Sequence, residues 1–250
     1  MRTILVLAAA AVGAITVTTL PRPPFPGPVT TAPATKRLVV VSSRYLAPGL
    51  GTGTPIVAPI DAPRTFRGTS IVGSATQPGR MFVFYGYDGA SAQYLHAYSR
   101  SRFLYGFDFK NYAWPPRIRP GEREFVYEEV VWAREANGVL YVENAHLTYA
   151  KSSFGQNAYI TAIDLKTKKR LWRSRALVAN ARTFVLTPDY VVAGYGFTAE
   201  PDWLYLLSRR TGLVVERLAL LSGPELITRR GNRLTVRTYD HVLVVDLRES

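Results

Sequence analysis

The 250-residue chain contains no cysteine, two methionines and three histidines. The absence of cysteine excludes a disulfide framework, a thiolate ligand for zinc or an iron–sulfur cluster, and a cysteine nucleophile. The histidines, His96, His146 and His241, are far apart and lack the spacing of metal ligands. We therefore predict no metal site and expect each histidine to have a local hydrogen-bond partner.

Carboxylates are also scarce, since 18 Asp and Glu stand against 31 Lys and Arg and leave a formal net charge of +13. The cations are 25 Arg and 6 Lys, spread over the whole chain. Such a charge attracts anionic partners. Nucleic-acid-binding proteins usually concentrate their charge on one element. Because no helix-turn-helix, zinc-finger or RNP-type pattern accompanies it here, nucleic acid is not an expected partner.

The N-terminal residues have the pattern of an export segment, because Arg2 precedes an apolar run from Ile4 to Val17. We predict a signal peptide or an N-terminal anchor over residues 1–20. The anchor is an alternative because Ile4 to Leu20 is 17 residues, the short limit for spanning a bilayer. In either case the protein is expected outside the cytoplasm, whether periplasmic, secreted or membrane-anchored. Membrane contact is expected only through an uncleaved N-terminal segment.

Two small-residue patterns, Val12-Gly13-Ala14 and Ala32-Pro33-Ala34, are candidate cleavage sites. A linker is predicted over residues 21–35, where six of fifteen residues are proline. Proline cannot donate to a sheet and favours an extended, solvated chain. The folded domain is predicted over residues 36–250.

The folded part has the pattern of strands and turns, with short runs rich in Val, Tyr, Phe, Leu and Thr between Gly, Pro, Asn and Asp. The predicted fold class is therefore all-β. Four successive meander units align, and their equivalent positions Ser99, Asp164, Ser208 and Asp246 lie 65, 44 and 38 residues apart. The wide first interval contains an insert at Asn111–Arg123. Such spacing indicates propeller blades. The alternative, a β-sandwich, does not explain the register of the repeats.

The fourth unit lacks one strand, whereas RLVVVSS at Arg37–Ser43 belongs to no unit. We predict that this N-terminal strand pairs with His241–Leu247 and closes a small β-propeller of about four four-stranded blades. Closure would leave no long unpaired edge. The alternative is half of an eight-bladed ring completed by a second chain, so the protein is expected to be a monomer or a homodimer.

One segment, AIDLKTKKRLW at residues 162–172, resembles the docking motif A-x-D-x-x-T-G-K-x-x-W of the quinoprotein-type (PQQ-like) β-propeller repeats. The matching residues are Ala162, Asp164, Thr167, Lys169 and Trp172, while Lys168 replaces the glycine. In such a motif the small residue lets the tryptophan ring lie against a neighbouring blade, and Asp and Thr hydrogen-bond the turn.

The resemblance implies a blade geometry and not a quinone cofactor. Many quinoprotein dehydrogenases use a cysteine pair, a calcium site and a catalytic Asp, whereas this sequence has no cysteine and no evident acidic cluster. We therefore predict no cofactor. The chain is more similar to the extracytoplasmic propellers of this family that lack one.

Binding is expected on the propeller face that carries the long loops, because long loops on a rigid scaffold are where binding residues usually lie. The candidate binding residues are Tyr112, Trp114, Arg117, Arg119, Tyr149 and Phe154. The opposite face receives short basic turns, an alternative contact for an anionic polymer or lipid headgroups. These turns contain Arg100, Arg102, Lys166, Lys168, Lys169, Arg209, Arg210, Arg229, Arg230 and Arg233.

No catalytic constellation is evident in the sequence. The predicted function is an exported, non-catalytic β-propeller that acts as a protein-binding or assembly scaffold in the cell envelope. The expected partner is an envelope protein or an anionic polymer. The alternative function is an envelope enzyme, a hydrolase or lyase, that acts on an anionic glycan or other polymer.

Overall fold

The computed structural model describes residues 15–23, 35–48, 55–87 and 91–249. Residues 1–14 of the predicted export segment and residues 24–34 of the predicted linker lie outside the described residues. Within the described ranges no helix is long and apolar enough to cross a membrane.

The described residues form β-strands with three single-turn 3₁₀ helices. The strands are β1 (Thr18–Thr19), β2 (Lys36–Tyr45), β3 (Thr65–Phe66), β4 (Thr69–Gln77), β5 (Arg80–Gly86), β6 (Tyr94–Ser99), β7 (Arg102–Asp108), β8 (Glu129–Ala136), β9 (Val139–Ala145), β10 (Tyr159–Asp164), β11 (Arg170–Arg173), β12 (Val185–Leu186), β13 (Tyr190–Phe197), β14 (Glu200–Ser208), β15 (Val214–Ala219), β16 (Pro224–Arg230), β17 (Arg233–Thr238) and β18 (His241–Glu249). The 3₁₀ helices are Lys110–Tyr112, Arg123–Phe125 and Ala150–Ser153. The prediction of an all-β fold is confirmed.

The strands form four sheets. The first sheet has the order β1-β7-β6-β5-β4-β3, and the second has the order β11-β10-β9-β8. The third sheet has the order β12-β13-β14-β15, and the fourth has the order β16-β17-β18-β2. Each sheet contains a meander in which consecutive strands are neighbours, as the repeats predict. The short strands β1 and β3 at the edges of the first sheet have no counterpart in the predicted units.

The sheets pack face to face in chain order. One apolar core joins the first three sheets, and a second joins the third sheet to the fourth. In β13, Val191, Ala193 and Tyr195 belong to the first core, whereas Tyr190 and Val192 belong to the second. Because both faces of this strand are covered, its sequence is an almost unbroken apolar run instead of an alternation.

The predicted N-terminal strand is present at the edge of the fourth sheet. β2 pairs antiparallel with β18, with Leu38 opposite Leu247 and Val40 opposite Val245. The face of this sheet that turns away from the third sheet is exposed at Leu226, Thr228 and Thr235. The arrangement is that of a propeller-like stack of four sheets.

The segment that resembles a blade-docking motif joins the second sheet to the third. The indole Nε1 of Trp172 donates a hydrogen bond of 2.9 Å to the carbonyl oxygen of Arg209. Its ring lies against Gly212, where a Cβ atom would be 2.4 Å from the Trp172 Cε3 atom. Ala162 is fully buried opposite Trp172.

The turn of this motif is held by its own side chains. Asp164 Oδ1 accepts hydrogen bonds from the Thr167 amide at 2.6 Å and the Thr167 hydroxyl at 2.9 Å. These bonds lower the pKa of the Asp164 carboxyl, because they favour its charged form. Lys168, where the repeat family has glycine, has a φ of 59°.

Candidate functional site

Loops from three sheets meet at one end of the stack. The insert between β7 and β8 contacts the loop between β9 and β10, since the Arg119 amide donates a hydrogen bond of 3.0 Å to the Ser152 carbonyl. That second loop contacts the third sheet, because the Ala150 amide donates to Glu200 Oε1 at 2.7 Å. The insert, the loop between β9 and β10 and the start of β14 therefore lie on the same side of the structure.

Cations and aromatic rings are interleaved where these loops meet. The guanidinium carbon of Arg117 lies 4.4 Å from the ring centre of Phe154, and that of Arg119 lies 5.9 Å from it. The guanidinium carbon of Arg123 lies 4.2 Å from the ring centre of Trp114. Such cation–π contacts hold the guanidinium groups in place while leaving their N–H donors available. We call these residues, together with Lys151, the loop surface.

The backbone presents Phe154 outwards. It follows the 3₁₀ helix Ala150–Ser153 and has a φ of 52°, a left-handed conformation. Its amide donates to the Lys151 carbonyl at 3.2 Å, and the Gly155 amide donates to the Ala150 carbonyl at 2.8 Å. As a result the Phe154 ring is 45% exposed beneath the two arginines.

A cavity of about 480 Å³ adjoins the loop surface. Its cationic lining residues are Arg22, Lys110 and Arg123, and the indole of Trp114 forms part of its wall. Its remaining lining residues are Asn111, Pro115, Pro116 and Ile118. No carboxylate is among the described residues that line it, so the cavity is suited to an anionic group.

The cations of this region form no ion pair in the part of the chain that the structure describes. Within the described ranges no ion pair joins a carboxylate to any of the following: Arg22, Arg117, Arg119, Arg123 and Lys151. All five are exposed. The positive potential of the loop surface is therefore directed to the solvent.

Two predicted binding residues differ from the exposed residues of this cluster. Tyr149 is half-buried and packs edge-on against Phe197, with 4.8 Å between the ring centres, while the ammonium of Lys151 lies 5.3 Å from its ring centre. Tyr112 is only 1% exposed and belongs to the main core, so it cannot be a contact residue on the surface. Its position follows from the turn Lys110–Tyr112, which directs the ring inwards against Phe109, 5.3 Å away.

A buried ion pair supports the loops from below. Arg173 Nη2 donates to Glu128 Oε2 at 2.9 Å, and both side chains are 1% exposed. The Arg173 guanidinium carbon also lies 3.6 Å from the Tyr159 ring centre. Burial raises the pKa of Glu128, while the charge of Arg173 opposes that shift. This pair fixes the start of β8 to the end of β11 and was not found by sequence reasoning, because its partners are 45 residues apart.

The basic turns on the opposite side have a different role, since several of them join neighbouring sheets. Arg209 Nη1 donates to the Thr187 carbonyl at 2.7 Å, and its Nε donates to the Tyr141 hydroxyl at 3.2 Å. Arg229 Nη1 donates to the Leu186 carbonyl at 2.8 Å. The ammonium of Lys168 lies 4.8 Å from the Tyr105 ring centre of the first sheet. Several of these cationic side chains therefore form contacts within the fold.

A second cavity, of about 260 Å³, lies between β4 and β8. Glu129 is the carboxylate among its described lining residues, and Arg182 also lines it. Glu129 Oε2 accepts a hydrogen bond from the Ala92 amide at 3.3 Å, and burial raises the pKa of its carboxyl. A paired acid and base would need a second carboxylate facing this one.

The three histidines have separate local partners. His96 Nδ1 lies 3.5 Å from the Tyr98 hydroxyl, His146 Nε2 lies 2.7 Å from Ser153 Oγ, and His241 Nδ1 lies 2.7 Å from Asp240 Oδ1. Across the ranges that the structure describes, no three His, Asp or Glu side chains are grouped to hold a metal ion.

Comparisons with known proteins give distant structural neighbours. No family model matches the chain, and no curated protein matches it. Similar solved structures include the computationally designed Ika8 protein, with 9% identity, a TM-score of 0.47 and coverage of 72% of this chain and 46% of that chain. The computationally designed Ika4 protein has 10% identity and a TM-score of 0.45, and the match covers 79% of this chain and 99% of that chain. BamB from Moraxella catarrhalis has 10% identity and a TM-score of 0.38, and the match covers 70% of this chain and 58% of that chain. The chain spans about half the length of Ika8, 46% of it.

Proposed function

We propose that this protein is an exported, non-catalytic scaffold that binds an acidic segment of another cell-envelope protein through the loop surface. The proposal is supported mainly by one contrast. The arginines of the loop surface contact aromatic rings and form no ion pair among the described residues, whereas on the other side Arg209 and Arg229 donate hydrogen bonds to a neighbouring sheet.

The chemistry of the loop surface fits an acidic peptide. Exposed guanidinium groups over aromatic faces bind carboxylates through two parallel hydrogen bonds. The exposed ring of Phe154 and the indole of Trp114 add apolar contact area close to these charges. Arginine and large aromatic residues are the types that contribute most to protein–protein interfaces.

The test is charge reversal at the loop surface in the full chain. The double variant Arg117→Glu and Arg119→Glu should lower recovery of the partner from solubilised envelope by about tenfold, a loss of about 1.4 kcal/mol of binding free energy. The matched control is Arg100→Glu with Arg210→Glu, which reverses two exposed cations on the opposite side. Recovery is measured by affinity capture with quantitative mass spectrometry.

The two double variants distinguish a specific surface from a general charge effect. Equal loss in both would mean that net charge alone attracts the partner, and unchanged recovery in the loop variant would refute the proposal. If the wild-type protein retained a polysaccharide instead of a protein, the alternative of an envelope enzyme acting on an anionic polymer would be favoured. Glu129 would then be the first residue to replace.

Closure of the four sheets into a ring within one chain is part of the same proposal. The pairing of β2 with β18 supports it, because the strand that completes the fourth sheet comes from the other end of the folded domain. Native mass spectrometry distinguishes it from the alternative. A homodimer would refute closure within one chain and agree with an eight-bladed ring that covers the exposed face of the fourth sheet, whereas a monomer would refute that eight-bladed ring.

A further inference from the structure

The fourth sheet is the last layer of the stack, and one of its faces is uncovered. Leu234 and Val245 on its other face belong to the core shared with the third sheet. Because side chains alternate between the two faces of a strand, the residues next to these point away from that core. The first sheet does not cover them, because the side of that sheet remote from the main core packs against Ala62 and Phe66 of its own chain. This outward face is therefore open to the solvent, and Thr235 on it is exposed.

Positive charge dominates the outward face. The register brings six arginines to it, from all four strands. They are Arg37 and Arg44 of β2, Arg230 of β16, Arg233 and Arg237 of β17, and Arg248 of β18. Asp246 is the acidic residue in the same rows, and it accepts hydrogen bonds of 2.8 and 3.2 Å from Arg233. Arg37, Arg44 and Arg230 are exposed and form no ion pair with any residue that the structure describes.

The arginines of the outward face form a two-dimensional array. Neighbouring strands of a sheet lie about 4.8 Å apart, and alternate residues of one strand lie about 7 Å apart. In the paired rows of this face, all of which the structure describes, no side chain is aromatic. Sites for single-stranded nucleic acids, in contrast, combine a positive groove along the strand with aromatic rings that stack on the bases. The outward face therefore fits a flat array of anions better than it fits a nucleic acid strand.

One end of the outward face is concave. A cavity of about 630 Å³ lies at the turn between β16 and β17, and Arg230, Arg233 and Arg248 line it together with Asn232 and Asp246. Asp246 Oδ1 lies 2.8 Å from Arg233 Nε, and Asp246 Oδ2 lies 3.7 Å from Arg248 Nη2. Because these contacts engage Asp246 with two of the arginines, Arg230 is the lining cation that can bind an external anion. The cavity can thus hold one anionic group while the flat part of the face contacts others.

A second copy of this chain does not fit the outward face. In a symmetric dimer the same surface of each copy meets the other. Arginines would then lie opposite arginines, with Asp246 as the acidic residue of each copy in these rows. Such contacts between like charges oppose association.

We propose that the outward face docks the protein on a membrane through the headgroups of anionic phospholipids. A bilayer that contains such lipids presents a flat array of phosphates with a negative potential, which attracts exposed arginines. Guanidinium groups donate paired hydrogen bonds to phosphate oxygens. Each arginine close to the bilayer surface raises the affinity about fivefold. This contact is separate from the one predicted for the N-terminal segment, and it uses a different surface from the proposed scaffold function.

The test measures binding of the full chain to lipid vesicles by cosedimentation. Vesicles of phosphatidylcholine alone are compared with vesicles of equal parts phosphatidylcholine and phosphatidylglycerol, and the protein should bind only the second kind strongly. The double variant Arg44→Glu and Arg230→Glu should lower this binding by about tenfold or more. Arg44→Thr with Arg230→Thr should lower it less, and this variant keeps a residue that favours strands at position 44 and at position 230. The matched control is Arg117→Glu with Arg119→Glu, which should bind within about twofold of the wild type.

Ionic strength provides a second measurement. Raising it from about 0.1 M to about 1 M shortens the Debye length from about 10 Å to about 3 Å and should release the protein from the anionic vesicles. Since all variants share the same N-terminal apolar residues, any insertion of these residues into the vesicles cancels in the comparison.

Several outcomes would overturn the inference. An equal loss in the control would show that net charge, and not this face, attracts the vesicles. Equal binding to neutral and anionic vesicles would show that headgroup charge is not recognised. A homodimer that covers the face, or binding to dextran sulfate without binding to vesicles, would assign the face to another partner. None of these results affects partner recovery through the loop surface, so the proposed scaffold function fails or stands separately.

Discussion

Glu143 offers the most direct test of how these sheets pack. It lies in β9 between Trp132 of β8 and Ile160 of β10 and is fully buried. Neither carboxyl oxygen has a hydrogen-bond partner among the described residues. Burial therefore raises the pKa of Glu143 well above its ordinary value of 4.5, because a buried carboxylate without a partner is disfavoured relative to the neutral acid.

The sign of the pH dependence follows from this raised pKa. Above pH 4.5 the unfolded chain is stabilised because Glu143 ionises in it, whereas the raised pKa makes the folded chain retain the proton to higher pH. The free energy of unfolding therefore falls as the pH rises, by at most about 1.4 kcal/mol per pH unit, until Glu143 also ionises in the folded state.

The variant Glu143→Gln has nearly the same shape and no titrating proton. Its stability relative to the wild type should rise with pH, by at most about 1.4 kcal/mol per unit, because only the wild type loses stability on this account. Urea denaturation at pH 5, 6 and 7 measures this difference. Comparing variant with wild type at each pH cancels the contributions of the other titrating groups.

The control is Glu124→Gln, which removes an exposed carboxylate from the turn Arg123–Phe125. Its stability relative to the wild type should stay within about 0.5 kcal/mol at every pH. A constant difference between Glu143→Gln and wild type across the pH range would show that Glu143 is not held as a neutral buried acid. The packing of the second sheet against the third would then have to differ from that described.

Three further predictions concern single contacts. Gly212→Ala should destabilise the protein by about 1–2 kcal/mol more than Gly138→Ala, as measured by chemical denaturation. Both glycines have a positive φ, but only at position 212 does the new Cβ meet the Trp172 ring. Trp172→Phe should lower the free energy of unfolding by about 1–3 kcal/mol, because it removes the hydrogen bond to Arg209 and part of the ring packing. A loss no larger than that of a substitution at an exposed position would contradict the docking contact. His146→Gln should reduce the loss of stability between pH 6.5 and about 4. Burial lowers the pKa of His146 to about 4, so in the wild type only the unfolded chain takes up its proton in that range, and an unchanged acid profile in the variant would refute this.

Part of the candidate site was predictable because it depends on chain order. The meander repeats require the long loops to emerge on one side, and Trp114, Arg117, Arg119 and Phe154 do lie in contacting loops there. The burial of Tyr112 was not predictable, since a single-turn helix decides whether its ring points inwards. The contributions of Arg22 and Lys110 to the cavity were also missed, because neither residue belongs to a long loop of the repeats.

The sequence by itself determined the order of the strands and turns in the four meander units, though not the short strands β1 and β3, because side-chain alternation and turn residues act over a few neighbouring positions. It also contained the strand that completes the fourth sheet. Only the tertiary structure decided which face of each sheet is covered. It therefore decided which ionisable side chains are buried, paired or exposed to the solvent. Glu143 is buried without a hydrogen-bond partner among the described residues, Arg209 holds the third sheet to the second, and Arg117 faces the solvent. These three outcomes depend on which residues from distant parts of the chain pack against each side chain, and the local sequence does not specify those residues.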